Sequence, residues 1–262
     1  MFKAREVLLY FALKYEGDYE KIIESIRNKV KIEEDDYLKQ VTTFEGEYLT
    51  IVDENYPERF KKIYRPPLVV FYRGEIALLD ELDATISVVG TRHPSEYGIK
   101  MATLLVKGLV KHHFIIVSGL AKGIDAAAHQ TTLQEGGKTI AVLGCGIDYV
   151  YPRENKELYE QIVTSGLILS EYPLSTRPSK EFFPQRNRLV AALSQGVLVV
   201  EASYRSGTLI TVGASLSHGG DIYCVPSRAD EESGTNRLIK DGAYLVETVE
   251  DILNLWPNLK KD

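Results

Sequence analysis

Apolar positions fall into two textures along this chain. Up to about residue 45 they recur at helical spacing, with Val7, Leu8, Phe11 and Ala12 on one face and Ile22, Ile23 and Ile26 on a second. The acidic cluster Glu33-Glu34-Asp35-Asp36 reads as a solvated turn or helix start. Residues 1–45 are therefore expected to form a small helical domain that leans on the rest of the chain, because so short a segment buries little core alone. From Tyr48 onward the apolar residues come in short compact runs. YLTIVDENYPERF suggests a strand and then a turn at Asn55-Tyr56-Pro57, and LVVFYRG a strand closed by Gly74.

A regular rhythm then takes over. Ile86, Val88 and Val89 mark a buried strand ended by Gly90, and Ser95-Glu96 reads as the cap of a helix running toward Lys111. Strands at 114–119, 138–144, 167–173, 196–202 and 221–226 alternate with helices at 122–137, 154–166, 184–195, 207–219 and 234–242. Such alternation builds βαβ units, and hence a parallel sheet with helices on both faces. The fold class is α/β: a doubly wound, Rossmann-like, mostly parallel sheet over residues 46–262, preceded by the helical domain.

Composition narrows the setting. The 262 residues are 44% hydrophobic and 26% charged, an ordinary globular balance with room for one large α/β domain and a small companion. No run approaches the ~20 apolar residues of a membrane span. The start MFKAREVLLYFALKYEGDYEK is interrupted by charges and lacks a small-residue cleavage site, so it reads as an amphipathic helix and not a signal peptide. Cys145 and Cys224 each close a predicted strand, with no CxxC and no His at ligand spacing. They are expected to be buried free thiols in a reducing cytoplasm, without a metal site. The net charge of -6 weighs against a coat of cations but leaves room for a local basic pocket.

Ligands of such sheets bind beyond the carboxyl ends of the strands. The turns expected there are Gly90-Thr91-Arg92, Ser118–Gly123, Gly144-Cys145-Gly146, Glu171-Tyr172-Pro173, and Glu201 with Ser206-Gly207-Thr208. Several join glycine to a hydroxyl or a cation, which suits backbone and side-chain contact with phosphate. In TISVVGTRHPSEYG the strand–turn–helix geometry aims helix N–H groups at an anion and adds the two-pronged cation Arg92. The stretch has neither GxGxxG nor GK[ST], and an ordinary βα turn with a surface arginine fits it equally well. RPSKEFFPQRNR (177–188) interleaves cations with Phe182 and Phe183, the combination that unpaired nucleic acid requires. Asp125 and His129 lie four apart on one helix and read as a structural pair. No nucleophile, acid–base or metal constellation is complete, so a binder is expected and not an enzyme.

The blocks SVVGTR (87–92), SGLAKGIDAAAH (118–129), IAVLGCGIDYVYPRENKEL (140–158), SEYP (170–173), FFPQRNRLVAALS (182–194), VVEASYRSGTLIT (199–211) and GTNRLIKDGA (234–243) occur in one order. In that order they resemble the DNA-processing protein A (DprA/Smf) family over roughly residues 48 to 245. The resemblance implies an extended Rossmann-like fold and a single-stranded-DNA-binding protein of bacterial natural transformation. Such proteins protect incoming strands, help load the recombinase RecA, pair as homodimers through the later elements and need no cofactor. By motif the DNA site would take Gly90, Thr91 and Arg92, then Ser118 and Gly119, then Lys180, Phe183, Gln185, Arg186 and Asn187. The apolar strands VLVVEA and DIYCVP fit the dimer. Three departures stand out: Ser227 where the family often has glycine after Val-Pro, no arginine after Gly220, and no C-terminal winged helix before Asp262. A phosphoribohydrolase-like enzyme on the same fold is the alternative, with Glu201 and Ser206-Gly207-Thr208 nearest to its signature, and a cytoplasmic scaffold is a third.

Overall fold

The computed structural model describes residues 2–174 and 176–256; residues 257–262, the end of the predicted 46–262 domain, lie outside them. The strands are β1 (Glu47–Thr50), β2 (Val69–Gly74), β3 (Thr85–Val89), β4 (Ile115–Ser118), β5 (Thr139–Gly146), β6 (Leu167–Tyr172), β7 (Gly196–Val199), β8 (Asp221–Cys224) and β9 (Tyr244–Leu245). They form one sheet in the order β1-β2-β6-β5-β4-β3-β7-β8-β9. Pairing is parallel from β6 through β9, and β1 and β2 extend the β6 edge antiparallel. The expected mostly parallel, doubly wound sheet is observed.

The helices that cover it are α1 (Ala4–Lys14), α2 (Tyr19–Arg27), α3 (Glu34–Tyr37), α4 (Glu58–Lys61), α5 (Glu96–Lys111), α6 (Ile124–Gln134), α7 (Lys156–Ser165), α8 (Phe182–Ala192), α9 (Thr208–Ser217), α10 (Gly234–Lys240) and α11 (Val249–Leu253). Alternation along each strand sends neighbouring side chains to opposite faces. Ile115 and Val117 of β4 pack with Leu189, Val190 and Leu193 beneath α8, together with Phe60 of α4 and Val212 of α9. Ile116, between them, faces Leu105, Leu109 and Ala128 of α5 and α6. Both faces of the central strands are thus buried, which accounts for their near-continuous apolar runs.

The N-terminal helices do lean on the sheet. Leu9 and Phe11 of α1 share a cluster with Phe71 of β2, Ala141 and Leu143 of β5 and Ile168 of β6. At that junction Arg188 of α8 donates to Glu171 of β6 at 2.6 Å, with both side chains largely buried. The late strands correct one expectation. Every residue of β7 is buried, as are Ile222, Tyr223 and Cys224 of β8. The apolarity of VLVVEA and DIYCVP is therefore used inside the chain and gives no argument for a dimer.

Candidate nucleic-acid interface

β3 lies between β4 and β7, so the chain leaves adjacent strands in opposite directions and a crevice opens beyond their carboxyl ends. A cleft of about 640 Å³ fills it. Its walls include Gly90, Thr91 and Arg92 after β3, Gly119 after β4, and Lys180, Phe183, Arg186 and Asn187 on and before α8. The turn Ser206-Gly207-Thr208 before α9 closes the far side. Turns that are far apart in sequence thus meet at one edge.

Two of the expected residues do not line the cleft. Ser118 is fully buried and its hydroxyl donates to the Val88 carbonyl at 2.6 Å. Gln185 lies on another flank of α8, where its Oε1 accepts the Tyr172 hydroxyl at 3.1 Å. Of the two phenylalanines, Phe183 lines the cleft, whereas Phe182 stacks on Tyr172 with ring centroids 4.0 Å apart.

Several of the backbone donors expected to meet a phosphate are already occupied. At the start of α5 the N–H of Ser95 donates to Glu201 at 3.0 Å and its hydroxyl at 2.8 Å, while Ser95 Oγ accepts the Gly98 N–H at 3.0 Å. Glu201 thus sits where an anion would, in the favourable field of the helix end. The carboxylate lies so close to the helix that a Cβ on Gly98 would collide with it. In the same way Asp125 accepts the N–H groups of Gly119 and Ala121 at 3.2 and 3.4 Å, filling the SGLAKG turn from within. Internal carboxylates thus take part of the donor set at both turns.

Arg186 forms part of the cleft floor. Only 5% of it is exposed. Its Nη1 donates to the carbonyls of Gly119 and of Val142, the latter at 2.6 Å, and its Nε to Asn187 Oδ1 at 3.0 Å. The approach is so close that a Cβ on Gly119 would meet the guanidinium, so glycine is required there. Burial pushes the Arg186 pKa down and the Asp125 pKa up, and each charge opposes the other's shift. Asn187 in turn donates to the Gly207 carbonyl at 3.4 Å, tying α8 to the turn before α9.

Open cationic chemistry falls to Arg92 and Lys180, both exposed. The Arg92 guanidinium sits 5.2 Å from the centroid of the Phe183 ring, a cation–π contact at the cleft mouth. Tyr151, 41% exposed and 5.8 Å from Phe183, adds a second aromatic wall that sequence reasoning missed. Its signal was the aromatic-rich loop DYVY after β5, at the same sheet edge as the other turns. The four cations of RPSKEFFPQRNR separate: Lys180 to the open cleft, Arg186 into its floor, Arg188 to Glu171, and Arg177 to a different surface.

The remaining titratable groups are structural. His129 is fully buried, its Nδ1 2.6 Å from Thr139 Oγ1. Thr139 donates to the Ile116 carbonyl, so the ring nitrogen facing it carries the proton. Burial holds His129 neutral, with its pKa pushed down to about 3. Cys145 and Cys224 are buried free thiols, pushed up to about 12. Among the described residues no cluster of His, Cys, Asp or Glu is placed to hold a metal, and no helix is long and apolar enough to cross a membrane.

Comparison with known proteins matches this architecture. Residues 47–257 fit the family of DNA recombination-mediator protein A. The chain is 43% identical to DNA processing protein DprA of Streptococcus pneumoniae over 206 residues, which is 78% of this chain and 72% of that one. It is 39% identical to protein Smf of Synechocystis sp. over 261 residues, 96% of this chain and 64% of that longer one. The X-ray structure of DprA from Streptococcus pneumoniae superposes with a TM-score of 0.81 at 32% identity, covering 98% of this chain and 99% of its own. A structure describing the single-stranded DNA binding mode of DNA processing protein A from Helicobacter pylori gives 0.73 at 33% identity, covering 80% and 95%. This chain belongs to the DNA recombination-mediator protein A family.

Proposed function

We propose that this protein binds single-stranded DNA in the cleft at the β3/β7 crossing and does no chemistry on it. The observation that carries the reading is the pairing of open cations with aromatic faces: Arg92 and Lys180 beside Phe183 and Tyr151. Charge meets the backbone and flat rings meet unpaired bases, with no base-edge code needed. The Helicobacter pylori relative, described as a single-stranded-DNA binder, supports the same occupant. Glu201, the carboxylate nearest to a glycosidase role, is held on the α5 N-terminus by three hydrogen bonds, which favours binding over base removal.

The family's description as a recombination mediator supports a role in natural transformation, in which the protein shields an incoming strand and passes it to a recombinase, RecA. In this reading it works in the cytoplasm as a homodimer. The cleft is tested by fluorescence anisotropy with labelled oligo-dT over a salt series. Arg92→Ala is expected to lose binding across sequences and to reduce the salt slope by about 0.7. Arg92→Lys recovers only part, since lysine lacks the planar fork. Unaltered binding by folded Arg92→Ala protein would move the site elsewhere.

A further inference from the structure

A larger hollow of about 1080 Å³ lies on the other side of the segment that enters α8. One wall comes from the end of α1 and the region around Lys39 and Phe44; the other carries Leu174, Arg177 and Phe182. Along that segment the residues divide between the two hollows: Ser179 and Phe182 line this groove, Lys180 and Phe183 the cleft. The two sites therefore share a rim one chain thick.

The groove repeats the chemistry of the cleft. Phe182 lies on the buried Tyr172 ring with ring planes 23° apart, so one face is backed while the half-buried Phe182 itself lines the groove. Arg177 is exposed and, among the described residues, forms no ion pair. Asp148 is neutralised by Arg73, and on the wall away from α8 the two carboxylates Glu16 and Glu45 outnumber Lys39. An anionic strand is thus directed toward the Arg177 side. Arg177 and Lys180 are three residues apart, at most about 11 Å between Cα atoms. A backbone held by one reaches the other.

We infer that a single strand seated in the cleft continues past Lys180 and Arg177 into this groove and lays a base against Phe182, which Tyr172 holds in place from behind. The inference rests on the cleft being the primary strand site. The test compares labelled oligo-dT of about 4 and about 16 nucleotides, the span of compact single-strand sites. Arg177→Glu and Phe182→Leu are expected to bind the short strand like the parent and to lose about tenfold on the long one. The Arg177 variant also lowers the long-strand salt slope by about 0.7. Arg92→Ala loses both lengths. Equal weakening of both lengths by Arg177→Glu, or no change in either, excludes the groove while leaving the cleft in place. Failure of the parent to bind either strand overturns both readings.

Discussion

Replacing Arg186 by methionine separates a floor-building residue from a DNA contact. The substitution keeps most of the aliphatic bulk and removes the guanidinium, which is 5% exposed. It leaves Asp125 without its counter-charge and strips the Gly119 and Val142 carbonyls of a donor. Each carbonyl left dry costs about 1–3 kcal/mol, and the Asp125 charge loses the favourable field of the guanidinium. These terms overlap, because the carbonyls border a cleft that water can enter and a buried Asp125 can take up a proton. A net loss of about 3–5 kcal/mol is expected, or about 6–20 °C in melting temperature for a chain of this size. Thermal unfolding by circular dichroism measures it. The double variant Arg186→Met with Asp125→Asn should recover part, since the two side chains are energetically coupled. A folded Arg186→Met protein that melts like the parent but no longer holds oligo-dT would refute the reasoning. The guanidinium would then be a phosphate contact.

Phe183→Ala should weaken short-strand binding by about 1–3 kcal/mol, similarly for dT and dC. Phe182→Ala should leave short strands unaffected, and the reverse result would exchange their roles. Stability should also fall on mild acidification through His129. Its folded pKa of about 3 lies below the ordinary 6.5, so from pH 6.5 downward the unfolded chain binds the extra proton and folding weakens. At pH 5 this amounts to about 2 kcal/mol. His129→Gln should flatten the dependence of denaturant midpoint on pH between 7 and 5, and an unchanged slope would exclude His129 as its source.

The sheet was legible because β3, β4, β5 and β7 are buried on both faces and so read as near-continuous apolar runs ended by glycine or a polar turn. The cleft was legible in outline because turns leaving parallel strands share one edge. What the sequence hid was occupancy. Glu201 is 106 residues from the Ser95 it caps, so nothing local marks that helix end as taken. Arg186 and Lys180 look alike as members of one cationic stretch, yet α8 turns the first into the floor and leaves the second exposed. Ser118 reads as an open hydroxyl until the Val88 carbonyl is seen beside it. Phe182 and Phe183 are neighbours in sequence, and helix geometry alone sends them to different hollows.

The placing of β3 between β4 and β7 also fixes an order of assembly. β3 through β6 can pair in sequence as they leave the ribosome, since β3 meets β4, β4 meets β5 and β5 meets β6. The other edge of β3 stays open until Gly196–Val199 arrives to pair with it. Ser87 meanwhile lacks the Val190 carbonyl, 103 residues later, to which its hydroxyl donates at 2.8 Å. Closing so long a loop is slow, and an open apolar strand edge invites pairing with other chains meanwhile. A nascent chain halted before β7 carries that exposed edge and lacks one wall of the cleft, so the ligand site comes into being only with the crossover that protects the sheet.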